Sequence, residues 1–264
     1  MTQIERRFGR RAFGGDPANY DAARPPYPDW VFDALAQTCG LGAGSAVFEI
    51  GTGTGTATRR LLAAGADPVV AIEPDPRLAA YLRAACPSAA LRILTKTFEA
   101  TEPGERAFAL GLAATSFHWL DEATALAKIA RALKPGGWWA ALWNVFGDDA
   151  YPDPFHAATQ RVLAGPLSPS AGQGGTPFAL DAAARIAAID AAGAFERVLY
   201  QTSHWPLVLT ADQTVALYAT YSNIVAMPNP GQALAELRRI AETEFGGQVT
   251  RNMTTILYLA RRRA

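Results

Sequence analysis

The stretch "VFEIGTGTGTATRRLL", residues 47–62, sets three glycines at alternate positions between a short apolar run and a segment of helical composition. The run "AVFEI" (46–50) reads as a strand, and the residues from about Thr56 to Ala64 read as a helix. Glycine tolerates a positive φ and lets a backbone approach a ligand with no Cβ in the way. Gly51, Gly53 and Gly55 therefore form a turn suited to close approach. A phosphate-binding Walker loop needs Gly-Lys followed by Ser or Thr, and here Gly55 is followed by Thr56 with no lysine near, which excludes that chemistry. A dinucleotide turn needs G-x-G-x-x-G, and Thr56 occupies the place of its third glycine. The dinucleotide reading is weakened but stays open.

Outward from this turn the chain keeps one rhythm. Strands are expected at 68–73, 91–96, 107–114 and 138–144, with helices at 76–85 and 121–133 and a "KPGG" turn before the last of these strands. Upstream, "DWVFDALAQTCG" suits a short helix stopped by Gly40. Apolar runs separated by helices predict a doubly wound α/β fold, a mostly parallel sheet covered on both faces. Ligands bind such sheets at the carboxyl ends of the strands. After Asn144 the rhythm breaks into "VFGDDAYPDPF" (145–155) and "AGPLSPSAGQGGTPF" (164–178), with helices expected at 155–164, 181–193 and over a block from about Ala211 to Phe245. Two late strands, 195–209 and 254–261, bring the total to seven; the last is expected at the sheet edge, antiparallel. The chain thus reads as one domain over 1–264, comprising a lead-in (1–40), a ligand-binding core (41–144), cap insertions and late strands (145–250), and a closing strand and tail (251–264).

Composition limits the partners. Half of the 264 residues are hydrophobic, enough for a sizeable core. Lys plus Arg and Asp plus Glu both number 24, which leaves no net field to gather a polyanion; neither nucleic acid nor a membrane is an expected partner. Arg261, Arg262 and Arg263 read as a solvated tail. Cys39 and Cys86 lack a paired spacing and are expected as buried free thiols. The opening "MTQIERRFGRR" has no apolar core of a targeting signal, and no apolar run is long enough to cross a bilayer, so a cytoplasmic protein, monomer or homodimer, is expected. Three dispersed histidines without Cys or carboxylates at ligand spacing predict no metal site. Ser116 lacks the G-x-S-x-G elbow of a hydrolase.

The spacing Glu49-x-Gly51-x-Gly53-x-Gly55 resembles motif I of the class I S-adenosylmethionine-dependent methyltransferases. Glu73 closes the next strand, where a carboxylate can accept from both hydroxyls of an adenosine ribose; dinucleotide enzymes use the same device, so this residue indicates adenosine and no more. "TFEA" (97–100), "AATSFHWLD" (113–121) and "LKPGGWWAALWN" (133–144) follow in the order and spacing of a subfamily that resembles the trans-aconitate and related small-molecule methyltransferases. "ANYDAARPPYP" (18–28) is similar to its lead-in, and "SHWPLVLTADQ" (203–213) with "TYSNIVAMP" (220–228) to its cap. One departure stands out: the family usually carries Asp after the Phe of the fourth strand, and this chain has Phe108-Ala109.

The resemblance implies S-adenosylmethionine as cofactor, its methionine end over Gly51 to Gly55 with Glu49 near the ammonium and Glu73 on the ribose. Adenine would sit between Pro74 or Asp75 and the 97–99 loop, where Phe98 offers an apolar face unless it is plain core. Ala114, at the end of the fourth strand, would border the cofactor. Tyr20 and Arg24 would close over it, Arg24 pairing with the methionine carboxylate, unless Arg24 is a surface residue. His118 and Trp119 follow the fourth strand where the methyl group would project; His118 is either a general base or a structural histidine beneath the cap. Trp119, Tyr151, Trp205 and Tyr221 are candidates for a substrate pocket, with His204 beside Trp205 in its wall and His156 facing solvent or another helix. The implied reaction is methyl transfer to a small molecule, to oxygen in the first place. The alternatives are an NAD(P)-dependent oxidoreductase and a non-catalytic protein that binds an adenosyl ligand.

Overall fold

In the computed structural model, which describes residues 3–172 and 174–264, seven strands form one sheet. Met1, Thr2 of the lead-in and Gln173 of the 164–178 loop lie outside the described residues. The strands are β1 (Val47–Ile50), β2 (Val69–Ile72), β3 (Leu91–Leu94), β4 (Phe108–Ala114), β5 (Leu133–Val145), β6 (Phe195–Thr210) and β7 (Gln248–Arg262). Their order across the sheet is β3-β2-β1-β4-β5-β7-β6. The first five run parallel, and β7 pairs antiparallel with both β5 and β6. From β1 the chain winds outward through β2 and β3, then returns to the middle to start β4. The carboxyl ends of β1 and β4 therefore flank a topological switch point, where a crevice opens.

Local chemistry explains the parallel half. β1 and β2 are buried at every position, as strands covered on both faces must be. The helix Asp29–Cys39 stops at Gly40, which takes φ 71° as its C-cap. Asp75, Asp121, Asp153 and Asp181 each cap a following helix through a side-chain oxygen. Two apolar layers form, one under Phe48, Ile72, Leu126, Ile129 and Trp139, the other under Val31, Leu35, Leu61, Leu110 and Leu142. A third cluster, with Phe155, Tyr218, Leu237, Ile240 and Val249, holds the cap helices to the start of β7.

Gly111 shows how tightly the first layer is set. A Cβ there would lie 2.3 Å from Phe48 Cζ, and the Phe48 ring is already fixed by Phe98 and Phe108 at 6.2 and 5.1 Å. Gly111→Ala is expected to destabilise the protein by about 1–3 kcal/mol through overpacking, measured by urea unfolding. A change within experimental error would mean that the ring moves freely.

Three expectations are corrected. The closing strand does not lie at the edge: β7 sits between β5 and β6, because Met253 to Ala260 are buried without a break, and only an interior strand is covered on both faces. The edge falls to β6, whose residues are mostly half-buried or exposed. The helical block at 211–245 divides into Ala211–Tyr218, Ser222–Val225 and Pro230–Glu244, with Pro228 between the last two and Pro230 opening the third. Finally, Cys39 is buried, its thiol pushed up to about 12 by burial, but Cys86 ends its helix half-exposed. Among the described residues, no helix is long and apolar enough to cross a membrane.

Candidate functional site

A cavity of about 460 Å³ opens at the switch point, within the range of small-molecule sites. One end is formed by the turn after β1, by Glu73 and Pro74 after β2, and by the 97–99 loop after β3. The other end lies beneath the cap and is walled by His118, Trp119, Trp143, Phe146, Phe178, Tyr221 and Met253, among others. Phe13, Tyr20, Arg24 and Tyr27 of the lead-in cover it.

The three glycines of the opening turn have separate duties. All three have positive φ, at 68°, 57° and 95°. A Cβ on Gly51 would stand 2.6 Å from Ser116 Cβ, and one on Gly55 2.4 Å from Leu82 Cδ1, so these two allow protein to pack on protein. At Gly53 the nearest atom would be Tyr20 Cε1 at 3.7 Å. Gly53 is the one whose missing side chain leaves the cavity open. Its N–H donates to Glu73 Oε2 at 2.8 Å, and the Asp75 N–H donates to Oε1 at 2.9 Å, so the carboxylate is aimed by the backbone and keeps lone pairs for a ligand.

Glu49 and Glu73 are both buried. Burial pushes Glu49 up to about 8, with the Thr58 hydroxyl bond (2.6 Å) opposing and Glu73 reinforcing the rise. Burial likewise lifts Glu73 to about 7, against its two backbone bonds. Both groups bind protons more tightly folded than unfolded, so their contribution to stability is complete below about pH 4.5 and is lost as pH rises through about 7 and 8. The protein without ligand is expected to melt at a lower temperature at pH 9 than at pH 6, and a cation bound between the two acids should reverse part of that loss. A flat pair of thermal scans would contradict the pairing of these acids with the cavity.

Other polar atoms stand without protein partners among the described residues: Thr52 Oγ1, Thr54 Oγ1, Arg24 Nε and Tyr221 Oη. Arg24 lies between the rings of Tyr20 and Tyr221, at 4.9 and 4.8 Å, and donates to Thr220 O at 2.8 Å. Its position is not a surface one. His118 is buried in the turn Phe117–Trp119; its Nδ1 accepts from Trp143 Nε1–H at 3.1 Å. Burial, helped by Arg24, depresses it to about 3, so it is neutral at ordinary pH.

Of the residues anticipated from sequence, Tyr20, Arg24, Glu49, Gly51, Gly53, Glu73, Pro74, Phe98, Ala114, His118, Trp119 and Tyr221 all line this cavity. Gly55 stands behind it. Phe98 serves two purposes, since it is also buried in the core against Phe48. Tyr151 and Trp205 are not in the wall. Tyr151 stacks on His204 at 4.8 Å, and His204 borders a second cavity of about 420 Å³ with Asp148 and Tyr200. Trp205 follows His204 on β6 and so points to the opposite face, where Nε1 donates to Thr255 Oγ1 at 2.8 Å. His156, expected to face solvent or another helix, is half-buried and lines the main cavity beside Gly147. Ala109, the departure from the usual Asp, lies near the amino end of β4, while the cavity takes Ala114 to Ser116 at the other end. Trp143 and Tyr27 were not anticipated; each belongs to a segment read as plain strand or lead-in.

A family model described as "Methyltransferase domain" matches residues 47–137. An uncharacterized methyltransferase of Mycobacterium tuberculosis is 36% identical over 137 residues, 50% of this chain and 52% of that protein. An uncharacterized methyltransferase-like protein of Schizosaccharomyces pombe is 32% identical over 142 residues, 54% of each. The chain thus spans about half the length of the curated relatives it matches. Among solved structures, the cyclase SpnF superposes with a TM-score of 0.61 at 17% identity, covering 100% of this chain and 99% of that one. The YcgJ protein of Bacillus subtilis does so with a TM-score of 0.58 at 14% identity, covering 90% and 100%. These likenesses concern the fold. The family match falls on the strands and loops that build the Glu73 end of the cavity, so that residues 47–137 are similar to a methyltransferase domain.

Proposed function

We propose that the chain is an enzyme, a single unit over 1–264, that transfers a methyl group from S-adenosylmethionine to a small molecule, to oxygen in the first place. Within that class we favour a relative of the trans-aconitate and similar small-molecule methyltransferases. The observation that carries the reading is the pairing of an open glycine, Gly53, with a buried carboxylate, Glu73, aimed by that glycine's own N–H. Two further features fit the cofactor. A cationic ligand suits buried acids at Glu49 and Glu73, and an unpartnered Arg24 Nε suits a carboxylate.

When bound, the cofactor supplies a methyl group on a positively charged sulfur, ready for an acceptor's lone pair while the carbon–sulfur pair returns to sulfur. The protein's own work is alignment and exclusion of water. Glu73 holds the ribose hydroxyls, and Pro74 and Phe98 border the adenine. Glu49 meets the ammonium and Arg24 the carboxylate. Tyr20 and Tyr221 hold Arg24 between them, and the cap with the lead-in closes the site. A fold shared with a protein described as a cyclase does not by itself fix the reaction. The test is transfer of a labelled methyl group from S-adenosylmethionine to a panel of carboxylic acids, phenols and amines. Labelled product with matching release of S-adenosylhomocysteine is expected, with acids or phenols ahead of amines. Hydride exchange with NAD and no methyl product would overturn the reading.

A further inference from the structure

Among the described residues, the side chains that wall the cap end of the cavity include hydrogen-bond donors and no acid. An indole N–H can only donate, so the 3.1 Å bond from Trp143 Nε1 to His118 Nδ1 requires Nδ1 to be unprotonated. A neutral imidazole then carries its proton on Nε2. Trp119 and Phe178 hold the ring from two sides, at centroid distances of 5.3 and 6.2 Å. Nε2 has no protein partner among the described residues, and the His118 side chain lines the cavity. Tyr221 lines the same end, and its buried Oη likewise lacks a partner among the described residues.

We propose that this end of the cavity receives an anionic oxygen borne on an apolar or aromatic body, and that His118 serves it as a fixed Nε2–H donor, its tautomer set by Trp143, with Tyr221 as second donor. The inference rests on the methyltransferase reading and names its substrate class. It gives His118 a positioning role in place of that of a general base: a nitrogen that already holds its proton cannot take another from the substrate. An acceptor that arrives ionised asks for no base. The surroundings agree. Arg24 is the charged group facing His118 from the lead-in, and Arg185, stacked on Phe178 at 3.6 Å, is paired with Glu122. Glu49 and Glu73 stand at the ends of β1 and β2, on the cofactor side. Phe146, Phe178 and Met253 supply the apolar walls. A protonated amine would meet donors and a guanidinium here, which disfavours it.

Nitrogen NMR of the full chain with isotopically labelled histidine, saturated with S-adenosylhomocysteine, tests the proposal. The chain has three histidines, and the spectrum of His118→Gln assigns the signal. Saturation by S-adenosylhomocysteine is checked first by calorimetry, and its failure would refute the methyltransferase reading instead of this one. Nε2 of His118 is expected to be protonated and Nδ1 not, unchanged between about pH 5 and pH 9. Benzoate or nitrophenolate should shift the Nε2–H signal in a saturable way and benzylamine should not; the anion that acts at the lower concentration tells a carboxylate from a phenolate source. Trp143→Phe should populate both tautomers, and Tyr221→Phe should weaken the anion response by about tenfold. A proton on Nδ1, titration near neutral pH, a stronger response to benzylamine, or silence to both anions up to their solubility limits would each overturn the proposal.

Discussion

Gly53→Val is expected to abolish binding of S-adenosylhomocysteine while leaving the protein folded. Two effects combine. The residue has φ 57°, a conformation that a β-branched side chain adopts at a cost of about 1–3 kcal/mol. The new side chain would also enter the cavity beneath Tyr20, where the only nearby atom is 3.7 Å from the Cβ position. The strain should lower the unfolding midpoint modestly, since no core atom is displaced. Calorimetric titration reads the first effect and circular dichroism the second. Binding at the affinity of the unaltered protein would remove Gly53 from the site. At Gly51 and Gly55 the outcome should differ in kind, because a side chain there meets Ser116 or Leu82 and the damage falls on stability before it falls on binding.

Arg251→Met should produce the largest loss of stability, about 3–5 kcal/mol, by stranding a buried carboxylate. Arg251 and Asp153 are almost wholly buried, with Nε to Oδ2 at 2.5 Å. Arg251 also donates to Tyr218 Oη and lies over the Phe146 ring at 4.0 Å. Asp153 caps the helix Pro154–Leu163 through Oδ1 and accepts the Asn252 N–H on Oδ2. This one pair therefore ties β7, the first cap helix and the helix Ala211–Tyr218 together. Urea unfolding should show the loss, and adding Asp153→Asn should recover part of it, because asparagine keeps the cap and removes the unpaired charge. A loss under about 1 kcal/mol would show that the pair behaves like a surface bridge.

The parallel half of the sheet was legible from "VFEIGTGTGTATRRLL" outward because its signals are local: apolar runs separated by helices, and a glycine turn. The placement of β7 was not, since its partners β5 and β6 lie more than a hundred residues upstream at one end and across a long antiparallel register at the other. Tyr151 lies in the loop between β5 and the helix Pro154–Leu163, where no periodicity orients it, and Trp205 failed for the same reason as β7. On an edge strand, which of two faces a residue takes follows from the pairing register, and composition alone does not fix it. Trp143 was read as strand and is strand, yet its importance is a bond to His118, 25 positions earlier, which no spacing rule announces. Arg24 was anticipated only through the resemblance and Tyr221 as an aromatic of the expected cap; the structure adds that the ring and the guanidinium stack.

The central claim is that Glu73 holds the adenosine ribose of the cofactor within the cavity at the switch point, and one measurement bears on it most directly. S-adenosylhomocysteine is titrated calorimetrically into the protein and into Glu73→Ala, with NAD as the control ligand. The account predicts binding of S-adenosylhomocysteine in preference to NAD, and a loss of about 1.5–3 kcal/mol, roughly ten- to a hundred-fold in Kd, on removal of the carboxylate. An unchanged Kd in Glu73→Ala, or tighter binding of NAD, would contradict it.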